Sequence, residues 1–387
     1  MDIASFTLPY ERPSPFYPPP AFAQLRTGGP VLRTTTAAGT EAWVVIGADA
    51  AQQVLSDKRF GIVRPGVEQD TESLLCDGDD HARLRRVISK GFSARTLESL
   101  RPRVESLAEQ FVSDLKSAGP PADLVATLSR PLTLAVITEL LGVPVDDRAR
   151  FYEWAEAVSV VIADAEQYAG TWGELVTFLG GLIAAKREDP GDDLLSVLVA
   201  VRDSDDGRLN DRELLLAAAS LLSGGQLTTA NSLSIGVIKL TQAGGIDADL
   251  DVPRAVEEIL RHQAGISGEA FPRWALADVD LAGHQIAAGD MVIVRLEAAN
   301  RDPARFTDPD RFDPRRFGPG STPSPHLRFG YGPHRCIGAA VARMELVAAI
   351  TALRNQLPGL AMTCAPDEVP WTDHPLDSGP ATLHVTW

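Results

Sequence analysis

The chain has 387 residues, 44% hydrophobic and 23% charged, a balance that supports a large buried core and excludes wholesale disorder. Its net charge of -16 excludes nucleic acid as a partner, because neutralising phosphates takes a dense basic surface. Three cysteines, Cys76, Cys336 and Cys364, are too few for a disulfide framework and fit a reducing compartment.

Residues 1–20 read as an N-terminal arm, rich in proline from position 9. The arm lacks the basic cluster and apolar run of a signal peptide or membrane anchor, so no membrane contact and a cytoplasmic location are expected. The apolar and β-branched runs 31–36 and 41–46, separated by a stretch containing Gly39, predict a β-hairpin. A short helix follows over 48–56, then a loop over 61–77 carrying Gly, Pro and acids, a length that in compact domains often signals function. Residues 79–86, Asp-Asp-His-Ala-Arg-Leu-Arg-Arg, open a helix acids first, with His81 and Arg85 one turn apart on one face. A solvated charged face explains that pattern equally well. Residues 97–118, 122–141, 146–168 and 171–187 read as successive helices, the first three separated by Gly119-Pro120-Pro121 and Gly142-Val143-Pro144.

The longest apolar helix runs from Asn210 to about Leu240, with Asn210 and Glu213 spaced as a capping box. Its middle reads Ser223-Gly224-Gly225-Gln226-Leu227-Thr228-Thr229, and paired glycines inside a helix cost stability relative to alanine. Such a cost implies a purpose: Gly224 and Gly225 let a flat group approach the backbone. Thr228 either offers its hydroxyl there or bonds back to its own helix. Pro253 suits the first turn of the next helix, on which Glu258 and Arg261 can pair. Phe271-Pro272-Arg273-Trp274 then enters a strand-rich stretch through Leu281 and Met291, and 300–317 is a meander dense in Pro, Asp and Arg.

Residues 329–338 read Phe-Gly-Tyr-Gly-Pro-His-Arg-Cys-Ile-Gly. Gly330 and Gly332 permit backbone angles and close approaches that a side chain would forbid. The helix-forming run 339–350 follows directly, so Cys336 sits near a helix N-terminus, where free N–H groups favour a thiolate. A thiolate held this way is a good axial ligand for haem iron. A lone cysteine is more often a small buried apolar residue, but these surroundings reverse that expectation. The pattern Phe-Gly-x-Gly-x-His-x-Cys-x-Gly is complete, and here the chain resembles the cytochrome P450 superfamily of haem-thiolate enzymes. The resemblance covers nearly the whole chain, because further family patterns occur in order on both sides.

The resemblance implies a mainly α fold with small β-sheets, a single cytochrome P450 domain over 1–387. It implies haem b with Cys336 as metal ligand, Phe329 and Gly330 shaping the loop, and His81, Arg85, Arg273, His326 and His334 on the propionates. Gly224, Gly225 and Thr228 match the oxygen-binding region, and Val67, Gln226, Phe271, Leu376 and Asp377 are candidates for the substrate pocket. Glu258 and Arg261 match a structural pair completed by Arg311 or Arg316. One departure matters: Leu227 stands where the family usually has the acid that relays protons, so either water and Thr228 supply another route or the reaction needs less of that relay. No flavin or iron–sulfur domain is apparent, so ferredoxin and ferredoxin reductase are expected as separate electron donors. Arg83, Arg86, Lys90, Arg335 and Arg343 are candidates for a positive patch that steers an acidic donor.

Within the superfamily, Gly39-Thr40-Glu41-Ala42-Trp43-Val44-Val45, Leu296-Glu297-Ala298-Ala299-Asn300, Leu227 and the terminal Trp387 look similar to bacterial enzymes that act on cyclic dipeptides. The expectation is oxidative tailoring of an aromatic Trp or Tyr cyclodipeptide, by C–C or C–N coupling, in bacterial secondary metabolism. The first alternative is a hydroxylating monooxygenase of another small secondary metabolite. A haem-thiolate binding or sensing protein with little turnover is a third, separated from both by whether an oxidised product accumulates.

Overall fold

Extended, proline-rich backbone can lay its apolar side chains against a sheet, and the N-terminal arm does so. In the computed structural model, which describes residues 8–159, 165–204, 209–264, 271–318, 326–372 and 377–387 without the side chains of 152 and 155–169, Leu8, Tyr10 and Phe16 are buried. Leu8 N–H donates to Thr35 O at 2.8 Å and the Tyr10 hydroxyl to Thr34 Oγ1 at 3.2 Å. The chain divides into two compact units, the first formed by Met1–Gln69, Leu250–Cys336 and Pro366–Gly379, the second by Asp70–Asp249, Ile337–Ala365 and Pro380–Trp387.

In the first unit α1 (Ala21–Leu25) leads into β1 (Val31–Thr35) and β2 (Glu41–Val45), the predicted hairpin, paired from Val31↔Val45 to Thr35↔Glu41. Next come α2 (Ala48–Ser56), where the Asp302 carboxylate accepts the Ala48 N–H at 2.8 Å, and β3 (Phe60–Gly61).

The second unit carries α3 (Gly78–Ile88), α4 (Ala94–Ala118), β4 (Ala122–Asp123), α5 (Arg130–Leu141), α6 (Arg148–Ser159), α7 (Ala165–Glu188), α8 (Leu194–Asp203) and α9 (Asp211–Gln242). The helix expected over 122–141 begins two residues later, at 124, because Asp123 Oδ1 accepts from Val125 N at 2.9 Å and Leu383 N at 3.0 Å and holds residues 122–123 in a strand. Residues Val125–Ser129 form a wider helical stretch that continues directly into α5. The helix expected over 171–187 begins earlier, at Ala165, and residues 160–164 of the helix expected over 146–168 lie outside the described residues. α8 was not foreseen; Asp193 caps it, its Oδ1 accepting Ser196 N–H at 2.8 Å.

The capping box of α9 forms in both directions. Asn210 Oδ1 accepts Glu213 N–H at 2.9 Å and Glu213 Oε2 accepts Asn210 N–H at 2.7 Å. At 32 residues this helix is about 48 Å long. α5 packs against it.

Returning to the first unit, the chain forms α10 (Val252–His262), β5 (Arg273–Ala275), β6 (Val279–Leu281), β7 (His284–Ile286), β8 (Met291–Val294) and α11 (Leu296–Ala299). The sheet order is β1-β2-β8-β5-β3, with β2 and β8 parallel and β6–β7 a separate hairpin. α10 carries a fully buried knot. Arg261 Nε and Nη2 donate to the two Glu258 oxygens at 2.7 and 2.8 Å, and Arg316 Nε reaches both at 3.1 Å. Arg316 therefore completes the pair, while Arg311 contributes its carbonyl, accepting from Arg316 Nη2 at 2.8 Å. The second unit closes with α12 (Ala339–Gln356), packed on α4 and α9, and with β9 (Ala361–Met362) and β10 (His384–Thr386), which build a small sheet in the order β4-β10-β9.

Candidate active site

In the first unit the cysteine loop is built from its own backbone. Gly330 N–H donates to Leu327 O at 2.9 Å, Arg335 N–H to Gly332 O at 3.1 Å, and Cys336 N–H closes the loop on Phe329 O at 2.8 Å. Gly330 and Gly332 have φ of +69° and +71°, a left-handed backbone that disfavours side chains. Their roles nevertheless differ. A Cβ at Gly332 would lie 2.2 Å from Leu55 O and 2.8 Å from Ser56 Cα, so this loop and the end of α2 touch only because the position is glycine. At Gly330 no atom comes nearer than 3.9 Å, and the angle alone demands glycine. The product is an exposed Cys336 thiol three residues before α12.

Arg273, on β5, is buried, and its Nη1 donates to Phe271 O at 2.9 Å while the Phe271 ring is exposed, as is Val67. His326 uses both ring nitrogens, Nε2 against Glu257 Oε2 at 3.1 Å and Nδ1 accepting Arg328 N–H at 3.2 Å. A propionate bound there would have to take the place of Glu257. His334 is half-buried in the loop. Asp377 is buried facing Arg328, and Leu376 lies outside the described residues.

In the second unit, Ser223 and Gly224 are exposed midway along α9, whereas residues 229–240 are buried throughout. A Cβ at Gly224 would meet nothing within 4 Å, but one at Gly225 would come 3.3 Å from Ile137 Cδ1. The two glycines therefore divide the work: Gly224 bares one helix face, and Gly225 lets α5 come close on another. Thr228 Oγ1 donates to Gly224 O at 2.9 Å, the back-bond foreseen as its alternative, which leaves the oxygen able to accept. Gln226 lies about 200° around the helix from both Gly224 and Thr228, and it is buried. Leu227 is half-buried and carries no proton to give.

On α3, His81 is buried and Arg85 half-buried one turn later. Arg83 is committed inward, its guanidinium donating to the buried Glu213 carboxylate, whereas Arg86 and Lys90 are exposed. Arg212, at the start of α9, binds both Asp70 oxygens at 2.9 Å and also pairs with Glu72, to which Asn210 Nδ2 donates at 2.8 Å. The Arg212 guanidinium holds both carboxyls below the ordinary range. Sequence reasoning missed this cluster, since nothing in the spacing links positions 140 residues apart. It also missed Glu345 on α12, which is 5% exposed, has no hydrogen-bond partner for Oε2 among the described residues, and is pushed well above the ordinary carboxyl range by burial. Cys76 is buried likewise, which pushes its thiol up to about 11.

A family model described as Cytochrome P450 matches residues 252–355. Over 385 residues the chain is 38% identical to nocardicin C N-oxygenase of Nocardia uniformis subsp. tsuyamanensis, covering 95% of each. The chain belongs to the cytochrome P450 family. It is also 40% identical over 386 residues to cytochrome P450 monooxygenase PikC of Streptomyces venezuelae, covering 96% of this chain and 91% of that one. The crystal structure of the LnmA cytochrome P450 hydroxylase from the leinamycin biosynthetic pathway of Streptomyces atroolivaceus superposes with a TM-score of 0.89 at 37% identity, covering 98% of this chain and all of that one.

This P450 is accordingly an oxidoreductase, and its fold is mainly helical with small sheets, as the cysteine motif led one to expect. Membership implies haem on a cysteine thiolate, and the residues fit such a group. In the first unit the thiol of Cys336 is exposed on a glycine-built loop, where a metal-held ring can reach it. No described helix is long and apolar enough to cross a membrane.

Proposed function

We propose that this P450 is a haem b monooxygenase, ligated by Cys336, that inserts oxygen into a small secondary metabolite with electrons from a separate ferredoxin and its reductase in the cytoplasm. The observation that carries the reading is the thiol of Cys336, exposed at the end of a loop that glycine alone can build. The three relatives are named as an N-oxygenase, a monooxygenase and a hydroxylase, which favours oxygen insertion over the coupling of an aromatic cyclodipeptide.

When bound, a haem held by the Cys336 thiolate would supply dioxygen activation. The chain's own residues bind, orient and deliver protons. By the family resemblance, Arg273, His326 and His334 of the first unit and His81 and Arg85 of the second would offer donors for propionates, and Gly224 would leave room for a flat ring on α9. The Thr228 hydroxyl, on rotating away from Gly224 O, would be able to donate a proton. With Leu227 unable to relay, Thr228 would take its proton from water. Val67 and Phe271, both exposed, are apolar surfaces available to a substrate.

The test supplies purified protein with ferredoxin, reductase, NADPH, labelled dioxygen and a panel of metabolites that includes Trp and Tyr cyclodipeptides. The expected product carries one labelled oxygen, and Cys336→Ala removes both product and the thiolate-type spectrum of the reduced CO complex. A coupled product without label would reinstate the cyclodipeptide reading. Spectral binding with no product would point to a sensor.

A further inference from the structure

Beside the cysteine loop the first unit buries a charge for which the chemistry above has no use. Arg328 is 7% exposed, and its backbone is pinned: its N–H donates to His326 Nδ1 at 3.2 Å, and the neighbouring Leu327 N–H donates to Asn300 Oδ1 at 2.6 Å. The next residue, Phe329, is the one whose carbonyl accepts the Cys336 N–H. The guanidinium is thus rooted one residue from the loop-closing bond. It faces the Asp377 carboxylate, 1% exposed, with Nη2 and Oδ1 3.8 Å apart, too far for a hydrogen bond but close for two charges inside a protein. Glu297, 5% exposed, adds a second anion to this neighbourhood, though its Oε1 already accepts from Arg295 Nε at 2.8 Å and Nη2 at 2.5 Å.

Burying a guanidinium is costly, and here burial lowers its proton affinity while Asp377, Glu297 and Cys336 oppose the loss. That opposition is mutual. If negative charge on Cys336 steadies the Arg328 cation, the cation steadies negative charge on Cys336 by the same amount. A one-electron reduction of haem from Fe(III) to Fe(II) adds one negative charge to this neighbourhood. It becomes easier beside a fixed cation and harder beside a fixed anion.

We propose that Arg328 is a positioning residue that raises the reduction potential of the haem carried on Cys336, with Asp377 as the counter-charge that tempers it. The inference rests on Cys336 being the haem ligand. It assigns Arg328 and Asp377 to electron uptake, so Asp377 acts through Arg328 and not through the substrate.

Spectroelectrochemical titration of haem-loaded wild type, Arg328→Leu, Arg328→Lys and Asp377→Asn tests it, each protein first checked for the thiolate-type spectrum of its reduced CO complex. Arg328→Leu is expected to lower the potential, Asp377→Asn to raise it, and Arg328→Lys to stay nearest the wild type. A structural loosening would move the Leu and Asn variants the same way. That outcome, or no movement in either, overturns the proposal while leaving the ligand assignment intact. If Arg328→Leu does not fold, the near-isosteric Asp377→Asn decides alone: a rise supports the proposal and no rise overturns it. If even the wild type lacks the thiolate spectrum, the assignment of Cys336 fails and this proposal falls with it.

Discussion

At the residue scale, the two glycines of the cysteine loop give unequal expectations. Gly330→Ala meets only the left-handed backbone cost, about 1 kcal/mol. Gly332→Ala adds a collision with the backbone of Leu55 and Ser56 and should cost about 3 kcal/mol or more, with haem lost during purification. Denaturant titration of the two variants checks the order. Glu345 gives a second expectation, with a sign that can be worked out. Burial raises its folded-state pKa above the ordinary 4.5, so between those two values the native state keeps a proton that the unfolded chain has released. Stability therefore falls as pH rises through that window, by up to about 1.4 kcal/mol per pH unit for one group. Glu345→Gln should flatten this slope, and its advantage over wild type should grow with pH in urea titrations. The cysteine motif was legible because glycine spacing encodes a backbone shape locally. Neither the Gly332 contact with α2 nor the isolation of Glu345 could be read that way, since both depend on what a distant segment places nearby.

At the element scale, the tie between the segment preceding α3 and the start of α9 is made of charges at the surface, which water and salt screen. Arg212→Gln releases Asp70 and Glu72 together while leaving the Asn210–Glu213 capping box in place. Hydrogen exchange should then quicken in residues 70–77 and stay unchanged in the body of α9; an equal rise in both would mean that α9 itself had frayed. The elements were largely legible where the apolar run was long and the cap was local, as in α9. The expected helix over 122–141 starts two residues late for a different reason. Asp123 bonds to Leu383, 260 residues away, and that pairing overrode a sequence that by itself would stay helical. The division of labour between Gly224 and Gly225 was likewise hidden, because a glycine pair announces low bulk without saying which neighbour profits.

At the scale of the whole molecule, the net charge of -16 means that an acidic electron donor is repelled except where exposed cations meet it. Arg86, Lys90 and Arg335 are exposed, whereas Arg83 is spent on Glu213. The rate of haem reduction by ferredoxin should therefore fall as ionic strength is raised, and Arg335→Gln should slow it without altering the reduced CO spectrum. Stopped-flow reduction over a salt series measures both; a rate indifferent to salt would remove electrostatic steering. Family membership was legible from a handful of residues, but the two units were not, because the chain leaves the first and returns to it twice, crossing between the units five times. The Glu258 knot follows the same logic with a temporal edge. Its carboxylate is shared by Arg261, one turn away, and by Arg316, which the ribosome adds 58 residues later. During synthesis the anion is half-matched until the meander delivers Arg316, and the cysteine emerges only after it.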